Sequence, residues 1–211
     1  MLSAIVLLLI IFPLLPALLL AIPSVQNIAI DRAAEWASEK LNTKVEVGHI
    51  TIGLLNRVAV RDFYVADWDG DTLLYVKRVD AHLASLASLA KKNLVINHAE
   101  VKGGKFVVKE TTRGSFGVKD ITDQLVNREK ESDFRLDIRS IDGSDIDFSL
   151  IRFDEPTEAG IDFADMHLLG MSTHIEDLLV KSGGFVSLDV ESLSFVERTG
   201  FELDNLSGSI L

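Results

Sequence analysis

Val45-Glu46-Val47-Gly48-His49-Ile50-Thr51-Ile52 decides the fold. Val45 and Val47 fall on one parity, and Ile50 and Ile52 fall on the other. A period of two marks a strand with one buried face, and a parity change at Gly48 is what an extra residue in a bulged strand produces. The pattern continues downstream. Val58 and Val60 begin a second strand, and Phe63 and Val65 again change parity. Asp67-Trp68-Asp69-Gly70-Asp71 then supplies turn residues before Leu73 to Leu83, so the segments predict a meander. Leu83, Leu86, Leu89 and Ala90 predict one or two helical turns. Leu94 to Val101 and Lys105 to Lys109 flank Gly103-Gly104, which predicts a hairpin.

Residues 45–126 form a first β section that closes on a short predicted helix, Asp120 to Val126. Residues 127–133, Asn-Arg-Glu-Lys-Glu-Ser-Asp, are a solvated loop, and residues 134–211 are a second β section. Its apolar clusters are Phe134, Leu136, Ile138; Ile146, Phe148, Leu150; Ile161, Phe163; Met166, Leu168; Val186, Leu188, Val190; and Phe201, Leu203. Asp, Ser, Glu or Arg separates them, so each strand has one greasy and one wet face. Strands follow one another at intervals of roughly 8 to 16 residues with few long connections, as in an elongated, serially added sheet. The last residues, Leu206 to Leu211, read as a further strand, as expected of a piece of a longer protein.

Upstream, the first thirty residues carry no charged side chain. Leu2 to Ile22 is almost wholly Leu, Ile, Val, Ala and Phe, and about 20 such residues suffice to cross a hydrocarbon core of about 30 Å. Residues 1–23 are therefore expected to be a transmembrane anchor, kinked at Pro13 and Pro16. A cleaved signal peptide fits less well, because Ala21-Ile22-Pro23 is a poor small-x-small site. Residues 24–44 are expected to hold a short amphipathic helix with Val25, Ile28, Ala29, Ala33, Trp36, Ala37 and Leu41 on one stripe, ending near Asn42.

Charge and chemistry remove several classes of function. Through Lys119 the chain carries 14 Lys and Arg against 11 Asp and Glu, a balance of +3; from Asp120 onward 7 face 21, a balance of −14. Such an acidic half repels phosphate, so no nucleic-acid partner is expected. There are no cysteines, which excludes disulfide scaffolds and thiolate metal sites. Asp67, Asp69 and Asp71 alternate like the first ligands of a calcium loop, but the sixth position is Thr72 where Gly is needed and the twelfth is Arg78 where Glu is needed. His49, His82, His98, His167 and His174 have no metal-ligand spacing and read as solvated strand residues. Nucleophile elbows, phosphate loops and dinucleotide fingerprints do not occur. The chain is read as non-enzymatic, with no catalytic, metal or cofactor residues.

The order of anchor, helix, Leu41-Asn42-Thr43-Lys44-Val45-Glu46-Val47-Gly48-His49-Ile50, and the Asp-Gly-Asp turn into Thr72-Leu73-Leu74-Tyr75-Val76-Lys77 resembles the amino-terminal region of AsmA-like proteins, the group that includes the TamB branch. Leu94 to Gly104 and Ile138 to Phe148 resemble the family's recurring units of inner apolar strand, turn and next strand. The resemblance implies a Gram-negative inner-membrane protein, single-pass, with its body in the periplasm. It also implies a mainly β fold, an elongated curled antiparallel sheet forming an open apolar groove. Family members are implicated in carrying phospholipid toward the outer membrane, or in assisting assembly of outer-membrane barrel proteins by strand addition. The expected partners are membrane lipids, with an outer-membrane barrel protein as the alternative. The expected groove lining is Val58, Val60, Ile146, Phe148, Leu150, Val186, Leu188 and Val190.

Overall fold

The computed structural model describes residues 38–39, 42–53, 56–85, 93–110, 135–152, 162–181 and 185–210. The expected anchor (1–23), most of the amphipathic helix, the helical turns near Leu86, the helix at 120–126 and the loop at 127–133 lie outside them. Ser38 and Glu39 are helical, and Asn42 sits in the left-handed region (φ 50°), where a helix commonly ends. The Ser38 side chain binds both backbone groups of Val45, which fastens this helix end to the first strand. Among the described residues no helix is long and apolar enough to cross a membrane.

The protein is mainly β. Among the described residues nine strands make one open sheet: β1 (Val45–Ile52), β2 (Arg57–Ala66), β3 (Thr72–Leu83), β4 (Asn93–Lys109), β5 (Arg135–Ile151), β6 (Asp165–Lys181), β7 (Phe185–Glu197), β8 (Glu202–Leu203) and β9 (Gly208–Ile210). Each of the first seven pairs with the next in chain order, and β9 returns to pair with β7. Serial addition, as the strand spacing predicts, is what the sheet displays.

Several expectations need correction. The sheet is not wholly antiparallel, because β4 and β5 run parallel along their whole length, from Asn93↔Arg135 to Lys109↔Ile151. A parallel pair needs a crossover of a dozen or more residues, and the stretch between Lys109 and Arg135 is long enough. Gly103-Gly104 is not a hairpin turn: β4 runs straight through it, with Gly104 opposite Val76 on one side and Ile146 on the other. Likewise Gly143-Ser144 lies inside the single 17-residue β5. Phe163 belongs to no strand; it sits 72% exposed in the bend before β6. The second half of β6, from Met171 to Lys181, was not foreseen as a strand, since Ser172-Thr173-His174 and Glu176-Asp177 interrupt its apolar residues.

Parity changes are shared between strands. Gly48, Asp62, Lys77, Gly103 and Asp145 fall on one transverse row through β1 to β5, skipped by the ladders on either side of it. Asp62 (φ 52°), Gly103 (φ 67°) and Asp145 (φ 57°) occupy the left-handed region, open to Gly and tolerated by Asp. At Gly48 there is no extra residue, because Val47↔Phe63 and His49↔Arg61 keep one register on both sides. Both strands switch faces together. A second row crosses Asn97 and His98 in β4, Arg139 and Ser140 in β5, and Asp177 (φ 50°) in β6. These rows are creases, where bend and twist concentrate.

Because neighbours switch together, the inner face stays apolar across both creases. Val58, Val60, Val79, Val101, Ile96, Ile138 and Leu178 are each at most 5% exposed and belong to one cluster. The greasy face from β2 to β6 is thus withdrawn from solvent, where an uncovered trough was expected. Toward β7 and β8 it opens: Val186, Val190, Leu193 and Phe195 are partly exposed, and Phe201 is 45% exposed.

Candidate functional site

The eight residues expected to line a groove all join this inner cluster. Val58, Val60, Phe148 and Leu188 are buried, while Ile146, Leu150, Val186 and Val190 pack against them partly exposed. Register explains the convergence: Phe106, Phe148 and Leu168 sit opposite one another on β4, β5 and β6, with the two rings 5.7 Å apart. Further along, Leu188 of β7 pairs with Ile210 of β9. Sequence reasoning missed Phe195 and its 6.5 Å ring contact with Phe201, because the intervening turn hides their proximity.

The opposite face is polar and striped. Arg61, Arg78 and Lys102 form one cross-strand row, and Asp80, Glu100, Asp142 and His174 form the next. Like charges directly opposite one another repel, so each row needs the other. Arg78 holds Asp80 through Nε and Nη2, which lowers the carboxyl pKa below the usual range. Lys102 pairs with Glu100. Over β1 to β4 this face is concave, a depression of about 610 Å³ bordered by Arg57, Arg78, Asp80, His82, His98 and Lys102. The histidines, expected as merely solvated, are partnered at three positions: His98, His167 and His174.

One of these partnerships resembles hydrolase chemistry. Ser149 Oγ lies 2.9 Å from His167 Nδ1, and His167 Nε2 lies 2.8 Å from Asp165 Oδ1. A nucleophilic serine also needs access and a pair of free N–H donors for the oxyanion. Ser149 is 8% exposed, sits near the end of β5 beside His167, and lies apart from the residues that border the depression over β1 to β4. The chain ends on Arg198, whose Nη2 donates to Asp165 Oδ2 at 2.9 Å and lowers the Asp165 pKa, with His167 adding to the effect. Its role in this fold is to tie β5, β6 and the turn after β7 together.

The acidic turns are closed on themselves. Asp67 Oδ1 accepts from the N–H groups of Asp69 (3.0 Å) and Asp71 (2.8 Å), and Gly70 takes the left-handed conformation (φ 88°). The same loop recurs at Glu197 to Phe201, where Glu197 accepts from Thr199 and Gly200 has φ 97°. Thr199's hydroxyl and N–H lower the Glu197 pKa. These carboxylates organise backbone, and among the described residues no three His, Asp or Glu side chains converge as a metal site.

Fold and faces define a serially built, amphipathic β-sheet protein. No family model and no curated protein matches the chain.

Proposed function

We propose that this chain is the membrane-anchored amino-terminal part of a non-enzymatic, AsmA/TamB-like lipid conduit. In this reading residues 1–23 cross a Gram-negative inner membrane, and the β body stands in the periplasm and guides phospholipid acyl chains toward the outer membrane. The carrying observation is the inner apolar face, continuous across β1 to β7 and increasingly exposed toward β7 and β8. Water does not favour such an edge: at about 25 cal/mol per Å² of apolar area, covering it is a sizeable gain, and an acyl chain supplies the cover. Over β2 to β6 the lining packs on itself, so lipid enters by displacing weak contacts at the β7–β8 end.

Photo-crosslinking residues placed at Val190 and Phe195 test this, with Ser192 as the outer-face control. Phospholipid adducts at the first two and none at Ser192 support the conduit. Adducts at all three alike, or at none, overturn it. Capture of an outer-membrane barrel polypeptide in place of lipid would favour the assembly-factor reading, in which clients add strands to the sheet edge.

A further inference from the structure

Asp142 stands between two imidazoles on the outer face. His174 on β6 places Nδ1 2.6 Å from Asp142 Oδ1, and His98 on β4 places Nε2 3.6 Å from Asp142 Oδ2. The remaining ring nitrogens are also engaged: His174 Nε2 is 3.4 Å from Glu176 Oε1, and His98 Nδ1 is 3.2 Å from Ser140 Oγ. Across the neighbouring strands, His174 faces Ser192 on β7, whose strand also carries Asp189 and Glu191. His98 faces His82 on β3, near Asp80, and Arg139 occupies the position beside Ser140 on β5. On their own strands, His98 is followed by Glu100 and Lys102, and His174 by Glu176 and Asp177.

The row contains a built-in conflict. Glu100 and Asp142 are directly opposite on parallel strands, and like charges so placed are destabilising. Glu100 has Lys102. Asp142 has only the two histidines as ion-pair partners among the described residues, and those are cationic only when protonated. We propose that His98, Asp142 and His174 form a proton-operated clasp that fastens β4, β5 and β6 together while the imidazoles are protonated and loosens them when the protons leave.

Placement gives the clasp its leverage. The row Glu100–Asp142–His174 lies between the crease through Gly103 and Asp145 and the one through Asn97, Arg139 and Asp177. It therefore holds the strip of sheet between the two bends. The electrostatics agree in direction: the hydrogen bond to Asp142 raises the His174 pKa, with Glu176 adding to the effect and burial opposing it. For a raised histidine, the stabilisation is fully present below the ordinary value of about 6.5 and fades as pH climbs through the raised one.

Imidazole titrations by NMR and backbone hydrogen exchange on the full chain in detergent micelles, between about pH 5.5 and about pH 8, decide the matter. In the unaltered protein His174 should titrate above the ordinary range, and amides of residues 140–144 and 172–176 should gain protection on acidification after correction for intrinsic exchange. Asp142→Asn should shift the His174 midpoint downward, and both Asp142→Asn and His174→Gln should abolish the pH dependence of protection. An ordinary His174 midpoint, or protection in the unaltered protein that ignores pH, overturns the clasp. So does a folded His174→Gln variant that keeps the full pH response.

Discussion

Phe148→Ala offers the sharpest test of how the sheet is held. The ring is 2% exposed, faces Phe106 on one side and Leu168 on the other, and lies 5.7 Å from the Phe106 ring. Truncating a buried Phe costs about 3–5 kcal/mol, the spread reflecting how far the surroundings can collapse into the cavity. Collapse is restricted here, because both neighbours are fixed by long ladders, parallel to β4 and antiparallel to β6. A loss of about 4 kcal/mol is therefore expected. With a denaturant slope of about 2 kcal/mol per molar urea, the midpoint should fall by about 2 M. Far-UV circular dichroism of the full chain in mild detergent reads this directly. Phe163→Ala is the matched control, since that ring is 72% exposed and its removal should stay within about 0.5 kcal/mol. If Phe148→Ala costs under about 1 kcal/mol, or both variants shift equally, the inner face is not the packed core described above.

Other expectations follow the same geometry. A Cβ added at Gly143 would stand 2.8 Å from Thr173 Cγ2 and 3.1 Å from Ile146 Cδ1, so Gly143→Ala should cost about 1–3 kcal/mol in urea unfolding, with partial rescue by Thr173→Ser. Asp145 has φ 57°, so Asp145→Val should lower the thermal midpoint by the equivalent of about 1–2 kcal/mol while Asp145→Gly leaves it nearly unchanged; equal effects would deny the strain at this crease. The Asp165 pKa is depressed first by Arg198 and then by His167, so its contribution is present above the ordinary carboxylate value of about 3.9 and is lost as pH falls through the depressed one. Thermal melts of Asp165→Asn should accordingly lose less stability than the unaltered protein between about pH 5 and about pH 3.

Local pattern carried the strands, and local pattern also misled where conformation was at issue. The two-residue period at Val45–Ile52 and Val58–Val65 marked β1, β2 and their parity changes, and the Asp67–Asp71 turn closes as its residues predict. Gly103-Gly104 and Asp142-Gly143-Ser144 carry the composition of a turn, yet the chain continues straight through both. A left-handed residue inside a strand and one in a turn use the same amino acids, and only the pairing partner distinguishes them. The parallel joint between β4 and β5 was equally hidden, because strand direction depends on where the intervening chain goes. That the eight apolar positions share one face was legible from alternation, and they all fall in the inner cluster. The histidine partnerships were not: His98 and Ser140 are 42 residues apart, and His174 and Asp142 are 32 apart. Register alone brings them together.

The row from Gly48 to Asp145 also restricts how the gene for such a body can vary in length. Along it, five strands exchange their two sides in step, like a dislocation line running through a crystal. Deleting one codon within β3 at Lys77 would turn the rest of that strand inside out relative to both neighbours, placing Asp80 where Val79 belongs. Lengthening by whole strands at an end leaves the line intact. Growth and shrinkage in this architecture are therefore confined to connections and to the free margin of the sheet, while the interior of each strand keeps its residue count.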